Sequence, residues 1–201
     1  MTDLLIPTPS FPRRDDRGRR SVVILAAVLV VVALVGFMRW RSSLAIVAAP
    51  APTMTVPVQV GQTYYVDAGL GPVPDGSGDG PGSVTVTLDR VSAGGTLLTT
   101  TPGTATFTGI QVEAVLCVRS SGSDGIGVTA NADLAASCVS VRPLALPETL
   151  ALGFNTNQVM YKVPITTVGT YQEFGMIVDY HQGIRTGTLR AASGTSLLAK
   201  R

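Results

Sequence analysis

Histidine occurs once in these 201 residues, at 181, and cysteine twice, at 117 and 138. A zinc centre of the ordinary kind draws on three or four His or Cys ligands, so that chemistry is excluded in its usual form. No CxxC pair accompanies the two thiols. Charge is sparse, at 14% of residues, and beyond residue 41 no basic stripe with interleaved aromatics exists, which argues against nucleic acid as a partner. Asn131, Asn155 and Asn157 all lack the Ser or Thr of a glycosylation acceptor, in keeping with a bacterial envelope. After residue 41 no stretch sustains a 3.6-residue apolar period, so amphipathic helices are not expected there.

What the chain does have is a 17-residue run without a charge, Val22 to Met38, with Arg39, Trp40 and Arg41 after it. As a helix the run spans about 25 Å, slightly under the hydrocarbon core of a bilayer, and flanking residues make up the difference. Arg20 and Arg39 can snorkel to the headgroups, and Trp40 suits the interface. A transmembrane helix over 21–41, in contact with lipid, is the expectation. Arg13, Arg14, Arg17, Arg19 and Arg20 precede the run, and after Arg41 the next Lys or Arg is Arg90. The positive-inside rule therefore puts the N-terminus in the cytoplasm and residues 42–201 outside. A cleaved signal peptide is the alternative, since Ala48 and Ala49 are small and Arg19-Arg20-Ser21-Val22-Val23 resembles a twin-arginine signal. The apolar run exceeds the usual h-region, however, and Arg39 and Arg41 fall where a neutral cleavage region belongs.

Residues 1–20, with three prolines and little apolar content, are expected to be a disordered cytoplasmic tail. Residues 42–52, ending in Ala48-Ala49-Pro50-Ala51-Pro52, read as an extended spacer. From 42 to 201 there are eight basic and ten acidic groups, a net charge of −2. This outer part is mildly acidic.

Residues 53–192 show period two. Val84, Val86 and Leu88 alternate with Thr85, Thr87 and Asp89; Ile110, Val112, Ala114 and Leu116 alternate with Gln111 and Glu113; Phe174, Met176, Val178 and Tyr180 alternate with Glu173, Gly175 and Asp179. Each pattern is a strand with one wet face and one core face. Thr55–Val60, Thr96–Thr101, Val139–Val141, Val159–Ile165 and Arg185–Ala191 are further candidates. Seven to nine short strands with frequent turn signals predict a mainly β fold, an antiparallel β-sandwich. Gly169-Thr170-Tyr171 resembles the tyrosine corner of immunoglobulin-like sandwiches, with Glu173 where that family has cysteine. Residues 193–201 read as a flexible C-terminal tail.

Cys117 and Cys138 both lie in the outer part, where a pair of thiols oxidises. Cys117 is in phase with Gln111 and Glu113, and Cys138 with Ser140 and Arg142. The expected disulfide therefore joins adjacent strands on the solvent side and tethers the turn-rich segment Ser120-Ser121-Gly122-Ser123-Asp124-Gly125.

The search for chemistry gives little. His181 reads as the wet end of a strand entering a hairpin. Sortases place a histidine before their cysteine, the reverse of the order here. Thr53-Met54 resembles the serine-methionine of signal peptidases only superficially, and Lys162 sits on the wet phase of the strand holding Val159, Tyr161 and Val163. No catalytic residue and no cofactor is assigned. Asp75-Gly76-Ser77-Gly78-Asp79-Gly80 matches the first half of a calcium loop, making Asp75, Ser77 and Asp79 the weak metal candidates, but position twelve is Val86 and a strand follows where an EF-hand has a helix. A Gly/Pro-rich connection over 69–82 is the simpler reading. The sequence thus predicts a single-pass, anchored, extracytoplasmic β domain of the cell envelope that is not an enzyme. Its expected partner is a protein or cell-wall component, with a metal- or glycan-binding loop at 69–82 as the alternative.

Overall fold

The computed structural model describes residues 16–41, 45–48, 53–72, 83–101, 104–119, 127–153 and 156–200. The chain divides into two compact units, one holding the N-terminal helix and the other everything from Arg41 onward. Helix α1 runs from Asp16 to Arg41. Its Val22–Arg41 portion is long and apolar enough to cross a membrane, and its large apolar side chains are exposed. Leucine, valine, isoleucine and phenylalanine cover this helix on every side, a pattern suited to lipid or to a protein interior, unlike the single stripe of a surface helix.

The second unit is built from strands. In chain order they are β1 (Ile46–Ala48), β2 (Met54–Gln59), β3 (Thr63–Asp67), β4 (Leu70–Pro72), β5 (Val84–Thr101), β6 (Thr104–Gln111), β7 (Glu113–Arg119), β8 (Val128–Ala130), β9 (Cys138–Pro143), β10 (Glu148–Leu152), β11 (Asn157–Pro164), β12 (Gly169–Gln182), β13 (Arg185–Ala192) and β14 (Thr195–Lys200). A 3-10 helix, Asn131–Ala136, lies between β8 and β9.

The fold is mainly β, as expected, but among the described residues twelve of the fourteen strands are hydrogen-bonded into one sheet, β1 and β4 forming a separate pair. Eight of its strands follow the path β2-β14-β12-β5-β10-β11-β3-β8, and β13, β6, β7 and β9 branch from it. Two links that a pair of separate sheets would lack create this continuity: the short parallel bridge of Leu152 with Asn157 joins β10 to β11, and the parallel pairing of β14 with β2 extends the far side. The end strands β2 and β8 line a common cleft through Val56, Pro57, Val128 and Thr129, so the sheet curls nearly into a barrel. Across the gap between β2 and β3, the Gln59 backbone N–H donates to the Tyr64 hydroxyl at 3.1 Å.

The inward phases fill the main core. Val86, Leu88, Val159, Tyr161, Val163, Phe174, Met176, Val178 and Tyr180 are all at most 2% exposed. Phe174 rests so closely over Gly95 that a Cβ there would stand 2.9 Å from its ring. The Tyr171 hydroxyl accepts from the Thr166 and Thr167 N–H groups at 3.0 Å and donates to the Thr167 carbonyl. Glu173, at the position where the resemblance would place cysteine, has a φ of 55° beside the irregularity between Gln172 and Gly175. That left-handed conformation is what accommodates the extra residue of a bulge.

Three sequence expectations need correction. Ala45–Ala48 fall within the expected spacer 42–52, yet Ile46 is fully buried, the Ala45 N–H donates to Tyr180 Oη at 3.1 Å, and β1 pairs with β4. The expected tail 193–201 supplies β14, with Leu197 completely buried between β12 and β2. The expected 69–82 connection begins as strand, since Leu70–Pro72 is β4. In each case three to six residues alternate too briefly to be seen as a pattern, and tertiary pairing decides.

Candidate functional site

Asp75, Ser77 and Asp79 lie outside the described residues, as do residues 120–126 inside the disulfide loop. Among the described residues no group of three or more His, Cys, Asp or Glu side chains is placed to hold a metal ion.

Cys117 and Cys138 form the disulfide, with Cα atoms 5.5 Å apart on the adjacent strands β7 and β9. They do point away from the main core, as their phase requires. They do not point at solvent. Cys117 is fully buried and Cys138 is 4% exposed, in a second small core with Tyr65, Val115, Met160 and Leu134. Leu134 comes from the 3-10 helix, which folds over what would otherwise be the wet face of β3, β7 and β11. A six-residue element of this kind is too short to leave a periodic trace in sequence.

Beside the second core sits a buried polar relay. Arg119 Nη1 donates to Gln158 Oε1 at 3.1 Å, and the Gln158 side chain bonds in turn to the Asp67 carboxylate. The Gly69 backbone N–H also donates to Asp67 Oδ1 at 2.9 Å. Burial raises the Asp67 pKa, and the bonds from Gln158 and Gly69 and the charge of Arg119 offset that only in part. On the other side of the sheet the Tyr161 phenol is pushed up as well, by burial first and then by the Asp67 charge. Its hydroxyl is the one buried side-chain oxygen without a hydrogen-bond partner among the described residues. The relay joins the ends of β3, β7 and β11 through side-chain bonds that cross from strand to strand. That is the geometry of a structural clamp.

The exposed face carries a second polar group. His181 is the next-to-last residue of β12, before a two-residue turn in which Gly183 has the positive φ of 59° that such hairpins demand. Its Nδ1 lies 2.9 Å from Asp89 Oδ2. Asp89 reaches it because β5 carries an extra residue there: Asp179 pairs with Arg90 and Tyr180 with Leu88, leaving Asp89 between. Next to them Arg90 Nε donates to Asp179 Oδ2 at 2.8 Å and Thr188 Oγ1 to Asp179 Oδ1 at 2.7 Å, which together hold the Asp179 carboxyl below its ordinary range, Thr188 contributing most. A carboxylate on Nδ1 orients an imidazole as it does in acid–base catalysis. Here, among the described residues, no hydroxyl or thiol is hydrogen-bonded to Nε2, and both partners are about two-fifths exposed. The pair is a wet cross-strand contact. Lys162 likewise meets Glu113 across β11 and β7 at 2.7 Å, and the contact raises the ammonium pKa.

Sequence reasoning therefore located the disulfide and the position of His181. It missed the Asp67, Gln158 and Arg119 relay, because Gln158 and Asp67 occupy the side of β11 and β3 that alternation marks as wet. Compared with protein-family models, with curated proteins and with solved structures, the chain matches none.

Proposed function

We propose that this chain is a single-pass membrane protein that displays its β domain on the extracytoplasmic side, where the domain acts as a binding or structural module of the cell envelope and performs no catalysis. The observation that carries this reading is the Val22–Arg41 helix, apolar on all sides and long enough to cross a bilayer. A helix of that kind in water would expose far more contiguous apolar surface than soluble proteins tolerate. The five arginines before it orient it with the N-terminus inside. The Cys117–Cys138 disulfide supports the same orientation, since such bonds persist in oxidising compartments.

Binding is favoured over catalysis because the polar groups of the domain are engaged with one another: His181 with Asp89, Arg90 with Asp179, Arg142 with Glu148 and Lys162 with Glu113. A curled β scaffold offers strand edges and loop ends for a protein or cell-wall ligand. Topology is tested with the full-length chain in bacterial membranes. The protein should resist carbonate extraction. Thr104→Cys should react with a membrane-impermeant maleimide on intact spheroplasts, and Ser10→Cys only after lysis. Release by carbonate, or labelling of Cys at position 10 from outside, would overturn the reading.

A further inference from the structure

The open strand edges of the domain are unequal. A strand with one unpaired side is a template for another chain, and proteins blunt such edges with charge, proline, brevity or a covering element. β2 carries Pro57, and β8 is three residues long. β9 carries Arg142 and Pro143. β13 carries Arg185 and Arg190 and has β1 against it. β6 has none of these protections. Over Thr104–Gln111 it is eight residues long, pairs only with β5, and is exposed at every position except Ile110, which is half-buried. It belongs to a 21-residue stretch, 92–112, that contains no charged residue. Phe107, in the middle of the strand, is 62% exposed.

We propose that the free edge of β6 pairs antiparallel with β6 of a second copy of this chain, making a two-fold dimer. The sequence of the strand is what selects a second copy as the occupant. Self-pairing about a two-fold axis brings the same short stretch of both copies together, so any charge on the strand would stand close to its like, and an uncharged strand pairs without that repulsion. With the axis at Phe107, the two Phe107 residues face each other, and Ala105 of each copy lies opposite Gly109 of the other. Across the new seam the phenyl rings then have only the small residues Ala105 and Gly109 diagonal to them, room that an aromatic ring fills well, while Leu98 of β5 stands on the other side of each ring. On the opposite face Thr106 meets Thr108, a cross-strand pair of the favourable kind. A foreign partner would be chosen by charges or pockets, and β6 offers neither. The proposal does not depend on membrane anchoring, because the edge belongs to the β domain alone.

The test uses the full-length chain in detergent. Phe107→Cys should form an intermolecular disulfide on mild oxidation. Val139→Cys, on the exposed but blunted β9 edge, should form at least about tenfold less. In the otherwise native chain, Phe107→Lys sets two ammonium groups face to face and should raise the dimer dissociation constant about tenfold or more by light scattering. Because Phe107 lies on the surface, unchanged circular dichroism is expected for that variant. A monomeric native chain at all concentrations, equal crosslinking at 107 and 139, a dimer indifferent to Phe107→Lys, or capture of a different polypeptide at 107 would each overturn the proposal.

Discussion

At the scale of single residues, the most consequential side chain is Asp67. Burial raises its pKa, so the folded protein holds this proton at pH values where the unfolded chain has already released it. The sign follows. The carboxyl adds nothing unfavourable below the ordinary carboxylate range, and it subtracts stability as pH rises through its raised folded value. Glu148 and Asp179 run the other way. The Arg142 contact holds Glu148 low, and Thr188 with Arg90 holds Asp179 low, so their contribution is present at neutral pH and fades as pH falls below the carboxylate range. Asp67→Asn keeps an acceptor for the Gly69 N–H and removes the charge. Relative to the native chain, the variant should therefore be more favoured at pH 7 than at pH 4, measured as urea midpoints at the two pH values. A variant-to-native difference that is the same at both would show that Asp67 is ionised at no cost.

Among elements, the disulfide and the 3-10 helix act as one. Cys117 and Cys138 are 21 residues apart, and closing a loop of that size stabilises by about 3 kcal/mol in the chain-entropy model. Replacing both by serine also places two hydroxyls in the second core of Tyr65, Val115, Met160 and Leu134. The double variant Cys117→Ser/Cys138→Ser should lose about 3 kcal/mol or somewhat more by chemical denaturation, and hydrogen exchange should rise first in the 3-10 helix and β9. Reduction of the native protein is the matching control.

The same elements explain which parts of the fold could be read in advance. The strands containing Val84 and Phe174 were legible because each has one wet face and a long alternation, and β11 was legible from the core phase of Val159, Tyr161 and Val163 alone, since Met160 on its other face is buried too. β3 was not, because Tyr64, Tyr65 and Val66 are buried in succession, the 3-10 helix having covered the second face. β5 read as two strands because Gly94 and Gly95 interrupt its pattern, and Gly95 is there to admit the Phe174 ring. The pairing of His181 with Asp89 depends on a bulge, and a bulge shifts register without changing composition.

For the whole molecule, the decisive feature is how the chain ends meet. β2, the first strand of the large sheet along the sequence, lies parallel to β14, the last, over six residue pairs from Thr195 with Met54 to Lys200 with Gln59. β14 stands between β2 and β12, so removing it would strip β2 of its hydrogen-bonded neighbour in the sheet and uncover the stretch of β12 at Tyr171 that pairs with Leu197. Leu197 and Ala199 would leave that core outright. The loss of one fully buried leucine alone costs about 2–5 kcal/mol, a large share of the stability of a domain this size. A chain ending at Ala192 should therefore fail to fold: poor recovery from membranes, no cooperative thermal transition, and rapid proteolysis of residues 53–192. Removal of Arg201 alone should leave the melting temperature unchanged, since β14 ends at Lys200. A shortened protein that melts like the full chain would mean that the sheet is complete without β14, and that residues 193–201 are a tail after all.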